Sequence, residues 1–269
     1  MLRSLGFAEI VLIALLLLLL FGGRWIGRTG KAAGRSVRSP WLLAKWTWAV
    51  STGTDEEGRR AEREFGKARA REVLDMYETA SDPSKRELTE RLSQQLCRTL
   101  PEETFPVTCA ILASSERNAF ALPGGFIFFH EGLFDEFRHD RDALAFVLAH
   151  EMQHVLLGHA REQLIRRFFL RAVTARSGGA GQLLKMVIDQ GYSREDELEA
   201  DRSAVALLTG SGFSPSGAVR VLRAFASSGV PGWEYLSSHP PAEERIRALQ
   251  EAGAFSATSS TDQPGSAAG

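Results

Sequence analysis

The chain is poor in cysteine, in charge of one sign and in repeated sequence. Cys97 and Cys109 are its two cysteines, too few for a disulfide framework or a cysteine-rich zinc module. A single pair can bridge or stay reduced, so cysteine content assigns no redox compartment. Lys and Arg number 32 against 33 Asp and Glu, a formal net charge of −1. The basic excess of a nucleic-acid binder is therefore missing, and no nucleic-acid partner is expected. Internal repeats are lacking as well. What remains is a chain of 269 residues, 44% hydrophobic and 24% charged, the composition and length of a folded protein of one or two domains.

Charge is unevenly spread. Residues 1–50 hold seven basic side chains and one acid, Glu9, whereas the rest hold 25 basic and 32 acidic residues. A basic head on an acidic body points to two parts with different neighbours. Ile10–Phe21 is unbroken apolar sequence with six consecutive leucines, and Leu5–Gly23 is interrupted only by Glu9. A helix of that length reaches ~28 Å at ~1.5 Å per residue, close to the thickness of a hydrocarbon core. A cleaved signal peptide is the alternative. Arg24, Trp25 and Arg28 follow the run where a cleavage site needs small residues, which favours a retained transmembrane anchor over residues 1–23.

Beyond it, Arg24, Arg28, Lys31, Arg35 and Arg38 recur at helical spacing, with Ile26, Ala33 and Val37 largely on the other side. Gly27, Gly30 and Gly34 make this a poor helix in water. Residues 24–54 therefore read as an interfacial amphipathic segment and linker, its cations toward anionic lipid headgroups and Trp41, Trp46 and Trp48 at the interface. A solvated basic linker is the plainer alternative. The cations after the span outnumber those before it, which favours a single-pass protein with its body on the cytoplasmic side, the periplasmic side being the alternative. This head resembles the TatA/TatB family of the twin-arginine translocase. The resemblance runs through Gly6-Phe7-Ala8-Glu9-Ile10, the short apolar run, a Phe21-Gly22 hinge and the glycine-spaced basic helix, over roughly residues 4–38. Gly23-Arg24 stands where that family often shows Pro and Lys. It implies an anchor able to self-associate into a homo-oligomer, and does not imply translocase activity.

The body, residues 55–252, reads as α+β, mainly helical with a small β-sheet. Helices are expected over about 59–80 and 84–98, on either side of Pro83. Phe105–Ala113 has strand length and β-branched residues. Asn118–Leu122 and Phe126–Phe129 flank the turn signal Pro123-Gly124-Gly125, a hairpin. A long helix is expected over Asp140–Arg171, and further helical runs near 181–190, 194–209, 215–228 and 241–252. The Ser-, Thr-, Gly- and Ala-rich tail, 253–269, reads as disordered.

The chemistry concentrates in His150-Glu151-Met152-Gln153-His154. On a helix, residues i and i+4 share a face, so both imidazoles reach one metal ion, while Glu151 sits ~100° round the axis. There it can take a proton from water activated by zinc. Two histidines on a surface helix would be the bland alternative. The flanks Phe146-Val147-Leu148 and Val155-Leu156-Leu157 argue for a buried helix instead, where unpartnered imidazole and carboxylate would be costly. Zinc needs a third protein ligand and an open position. The best candidate is Glu197 in the run Ser193–Asp201. Asp201, four residues on and on the same face, would accept a hydrogen bond from a ligand histidine, His150 being the candidate. Glu195 and Glu199 fall on other faces and read as solvated. His159 lies five residues after His154, off the metal face, and reads as structural, as do His130 and His139.

The body resembles the gluzincin peptidases that include bacterial HtpX, the CaaX-prenyl endoprotease and the mitochondrial inner-membrane Oma peptidase, and it looks most like the Oma type. The resemblance covers roughly residues 60–250. It rests on Asn118-Ala119-Phe120-Ala121-Leu122-Pro123-Gly124-Gly125, Glu131-Gly132-Leu133, the histidine helix continuing to Gly158-His159-Ala160, the Glu197–Asp201 segment, and His239-Pro240-Pro241 with Arg245-Ile246. It implies a zincin-like fold with one zinc ion per chain. Asn118, Ala119, Phe120, Ala121, Gly124 and Gly125 would form an edge strand and turn that pair with extended substrate. His239 would be a catalytic residue at the oxyanion with Arg245 as helper, or else a structural turn before a Pro-started helix.

The sequence thus leads to the expectation of a membrane-anchored zinc metalloendopeptidase acting on proteins. Misfolded or membrane-associated substrates, as in protein quality control, are implied by the resemblance and the anchor. The rival is a non-catalytic, TatA-like scaffold associated with translocation, which would need a damaged metal site. None of His150, Glu151, His154 or Glu197 is missing.

Overall fold

A computed structural model of the chain describes residues 54–173 other than 103 and 105, then 191–227 and 242–253. The expected anchor, nearly all of the basic segment, the helical run near 181–190, His239 and residues 254–269 lie outside them. Eight helices and three strands are described: α1 (Asp55–Met76), α2 (Pro83–Cys97), β1 (Thr108–Leu112), β2 (Ala119–Leu122), β3 (Phe126–His130), α3 (Glu131–Glu136), α4 (Arg141–Leu156), α5 (His159–Val173), α6 (Arg194–Gly210), α7 (Ser216–Ser227) and α8 (Ala242–Glu251). The chain is therefore mainly helical with one small sheet. Among the described residues no helix is long and apolar enough to cross a membrane.

Local chemistry sets the boundaries. Thr54 and Glu57 form a capping box that starts α1. Pro83 opens α2 behind Asp82, whose side chain accepts from the Ser84 N–H. Helix α1 ends at Met76, four residues before the expected end, because the following residues pair with β1. Ala80 donates to the Ile111 carbonyl and Ala113 to the Glu78 carbonyl, both at 2.8 Å.

The sheet order is β1-β3-β2. Strand β1 runs parallel to β3, with Thr108 opposite Phe126 and Leu112 opposite His130. Strand β2 is antiparallel to β3, with Leu122 opposite Phe126, so Pro123-Gly124-Gly125 closes the hairpin. Gly124 and Gly125 both have positive φ, 77° and 85°, open to glycine at little cost. Gly124 also lies under α1, where an added Cβ would come within 2.7 Å of the Arg63 Cα.

Helix α4 forms the centre of the core. Every residue from Ala143 to Val155 is buried, as expected of a helix apolar on all sides. It packs against α2, α6, α7 and β2. Its start is fixed by Asp140, whose carboxylate accepts from the Ala143 N–H at 3.0 Å and from two guanidinium nitrogens of Arg220 on α7. The single long helix expected over Asp140–Arg171 is in fact two. Gly158, at φ 83°, ends α4 in the left-handed conformation that commonly terminates helices, and α5 restarts at His159.

Candidate metal centre

His150 and His154 stand one turn apart on α4 with their Nε2 atoms 3.0 Å from each other. Helix α6 supplies the third donor. Its capping box, Ser193 with Asp196, fixes where the helix begins and sets Glu197 within its first turn. Glu197 Oε2 lies 3.4 Å from His150 Nε2, and Oε1 lies 3.5 Å from His154 Nε2. All three side chains are fully buried, and their donor atoms lie within 4.8 Å of one another. Two imidazole nitrogens and one carboxylate at such separations fit one zinc ion with bonds of about 2.0–2.2 Å. Such a set would be costly to bury without a cation.

Behind His150 stands a carboxylate. Asp201 Oδ1 is 3.0 Å from His150 Nδ1, the contact that holds a ligand imidazole in one tautomer. Burial alone would push the Asp201 carboxyl up. The Arg245 guanidinium outweighs it and holds the group down at about 2. Burial likewise favours a neutral His150, but the hydrogen bonds of Asp201 and Glu197 carry it up to about 9. Carboxylates that favour a proton there favour a metal cation for the same reason.

Glu151 is fully buried, and neither of its oxygens has a hydrogen-bond partner among the described residues. Desolvation raises its carboxyl to about 7, with the Glu197 charge adding to it and that of His150 opposing. A lone buried carboxylate poised near neutrality beside metal-binding donors is what a general base requires.

Arg245 was expected beside substrate. In the structure it is 1% exposed, paired with Asp201 and 3.4 Å from Glu197 Oε2, so it meets the metal-binding groups from within the core. Asn118, Ala119, Phe120, Ala121, Gly124 and Gly125 are all buried. Phe120 stacks on Phe128 at 5.1 Å. Gly124 is held by Glu62, which accepts from its N–H at 3.3 Å, and by Arg63, which donates to its carbonyl. Strand β2 starts at Ala119, while the Asn118 carbonyl accepts from the His130 N–H at 2.9 Å. Among the described residues β2 pairs with β3 alone, leaving its other edge without a strand.

Two residues at the site escaped the sequence reading. Tyr192 stacks face to face on His154, with centroids 3.6 Å apart and planes 9° from parallel. His159 is not among the convergent metal donors, but its Nδ1 lies 3.2 Å from the His154 Nδ1, on the outer side of that ring. The break at Gly158 redirects the chain, so helical spacing could not place it. The glycine was the one available signal.

Residues 82–253 match the family model described as Peptidase family M48. Metalloprotease YcaL of Escherichia coli K12 is 31% identical over 159 residues, 54% of this chain and 62% of that protein. Mitochondrial metalloendopeptidase OMA1 of Schizosaccharomyces pombe is 34% identical over 148 residues, 50% of this chain and 43% of that protein. A putative beta-barrel assembly-enhancing protease of Vibrio cholerae is 28% identical over 209 residues, 70% and 43% respectively. The chain thus spans about half the length of the curated relatives it matches. With a family model matched over well over half its length and a convergent donor set inside the matched region, the chain belongs to peptidase family M48.

Proposed function

We propose that the chain is a membrane-anchored zinc metalloendopeptidase that hydrolyses peptide bonds in proteins. The observation that carries this reading is Glu151, buried without a hydrogen-bond partner among the described residues, beside three convergent metal donors. His150 and His154 would hold the ion through Nε2 and Glu197 through its carboxylate. Zinc, when bound, polarises the scissile carbonyl and draws the pKa of water toward about 7. Glu151 accepts a proton from the attacking water on a carboxylate oxygen and returns it to the departing amine nitrogen. Asp201 fixes the tautomer of His150, and Arg245 neutralises the carboxylates behind the site.

In this reading the strandless edge of β2 receives extended substrate through main-chain hydrogen bonds, and His239 serves the oxyanion. The metallopeptidase unit is assigned to 55–252, preceded by the anchor at 1–23 and the interfacial segment at 24–54. Support for the anchor comes from the apolar run and basic segment of the sequence. The substrate class, misfolded or membrane-associated proteins, rests on the family resemblance together with the anchor; lipid is a further partner, and the flanking cations favour the body on the cytoplasmic side. The scaffold alternative is not supported, since every residue it would need to have lost is present.

Casein cleavage by the full chain, compared with Glu151→Gln, tests the reading. The variant should keep its zinc and lose activity by about a hundredfold or more. Unchanged turnover at full zinc content would refute Glu151 as the base. A topology reporter fused after Gly269 tests the orientation, and a periplasmic signal would reverse it.

A further inference from the structure

We propose that His159 is a positioning residue for His154, coupling its outer ring nitrogen to the surface carboxylate of Glu199; this rests on the metal site described above. The two ligand histidines are backed differently. The outer nitrogen of His150 meets Asp201 directly at 3.0 Å. That of His154 meets a second imidazole, His159 Nδ1, at 3.2 Å. His159 Nε2 in turn lies 3.3 Å from Glu199 Oε2 and 3.7 Å from Asp196 Oδ1.

The hydrogens in this row admit one arrangement with neutral rings. Nε2 of His154 faces His150 and Glu197 and needs its lone pair for the metal, so the ring hydrogen sits on Nδ1. There it is donated to His159 Nδ1. His159 accepts on Nδ1 and so carries its own hydrogen on Nε2, donating it to the Glu199 carboxylate oxygen 3.3 Å away. The opposite polarity would put a hydrogen on the metal-facing nitrogen of His154 and turn a bare His159 nitrogen toward a carboxylate. Glu199 therefore does at one remove for His154 what Asp201 does for His150.

The backbone is built for this contact. On an unbroken helix residue 159 would lie ~140° round the axis from residue 154. The left-handed turn at Gly158 brings it back. Tyr192 holds the His154 ring by its face while His159 holds it by its edge. His159 is 6% exposed, whereas the Glu199 side chain is 55% exposed, so the outer partner can be changed without disturbing packing.

The test measures zinc affinity of the full-length protein by chelator competition, together with the visible spectrum of the cobalt(II)-substituted form. His159→Ala should weaken zinc binding by about 10- to 100-fold and alter the cobalt bands. His159→Asn, which keeps an acceptor near the Nδ1 position, should recover most of that loss. Glu199→Ala should weaken binding by about two- to fivefold, the range of a half-exposed charged contact. Because the two act in series, the double variant should bind no more weakly than His159→Ala. Folded His159→Ala with unchanged affinity and cobalt spectrum would overturn the proposal, and so would losses that add in full. Should His159→Ala fail to fold, unchanged affinity and spectrum in Glu199→Ala overturns it. Wild-type protein that binds no zinc, like a His154→Ala control, would overturn the metal site itself, a result distinct from an intact site indifferent to His159.

Discussion

Arg245 holds Asp201 through two hydrogen bonds of 2.7 Å, Nε to Oδ2 and Nη2 to Oδ1. Both side chains are about 1% exposed. The pair ties α8 to α6 directly behind His150, and Arg245 also lies against Glu197. One guanidinium thus compensates two buried carboxylates of the site. A buried charge that loses its partner is far more costly than the pair was favourable.

Arg245→Met is therefore expected to destabilise the protein by about 3–5 kcal/mol. Urea denaturation of the zinc-free chain reads this without contribution from the metal. A cost below about 1 kcal/mol would mean that Asp201 and Glu197 find other compensation.

Asp140 caps the helix that carries both histidines and pairs with Arg220, and these contacts, the Arg220 hydrogen bond first, hold its carboxyl below the ordinary 3.8. A carboxylate with a depressed folded-state pKa contributes stability in full above its ordinary value and loses it as pH falls through the depressed one. Asp140→Ala should cost about 1–2 kcal/mol at pH 7. The gap from wild type should narrow as pH falls below 3.8. A gap that widens on acidification would contradict the assignment.

Gly124→Ala meets two obstacles, a positive φ of 77° and the Arg63 Cα at 2.7 Å from the new Cβ. Both atoms in that contact belong to or adjoin backbone, so no side chain can swing aside. The loss should exceed about 1 kcal/mol by thermal or chemical denaturation. A neutral outcome would mean that α1 and the hairpin are free to separate.

Parts of this architecture were legible from local rules. The spacing of four between His150 and His154 makes them converge, and the Pro-Gly-Gly turn announces the hairpin. Glu197 and Asp201 share a face by the same helical period. What local rules could not show was set by tertiary packing. Gly158, the one local signal of a helix end, sits in a run that keeps helical character on both sides, so helical spacing does not place His159 against the outer nitrogen of His154. Arg245 follows a helix start like any exposed arginine; only the packing of α8 on α6 buries it. The stacking of Tyr192 on His154 and the parallel pairing of β1 with β3 join segments distant in sequence, where periodicity carries no information.

Metal content of the purified full-length chain, measured by elemental analysis after zinc supplementation and removal of excess, addresses the central claim most directly. The account predicts one zinc per chain for wild type, with His154→Ala and Glu197→Ala holding none while remaining folded. Folded wild-type protein that takes up no zinc would contradict it.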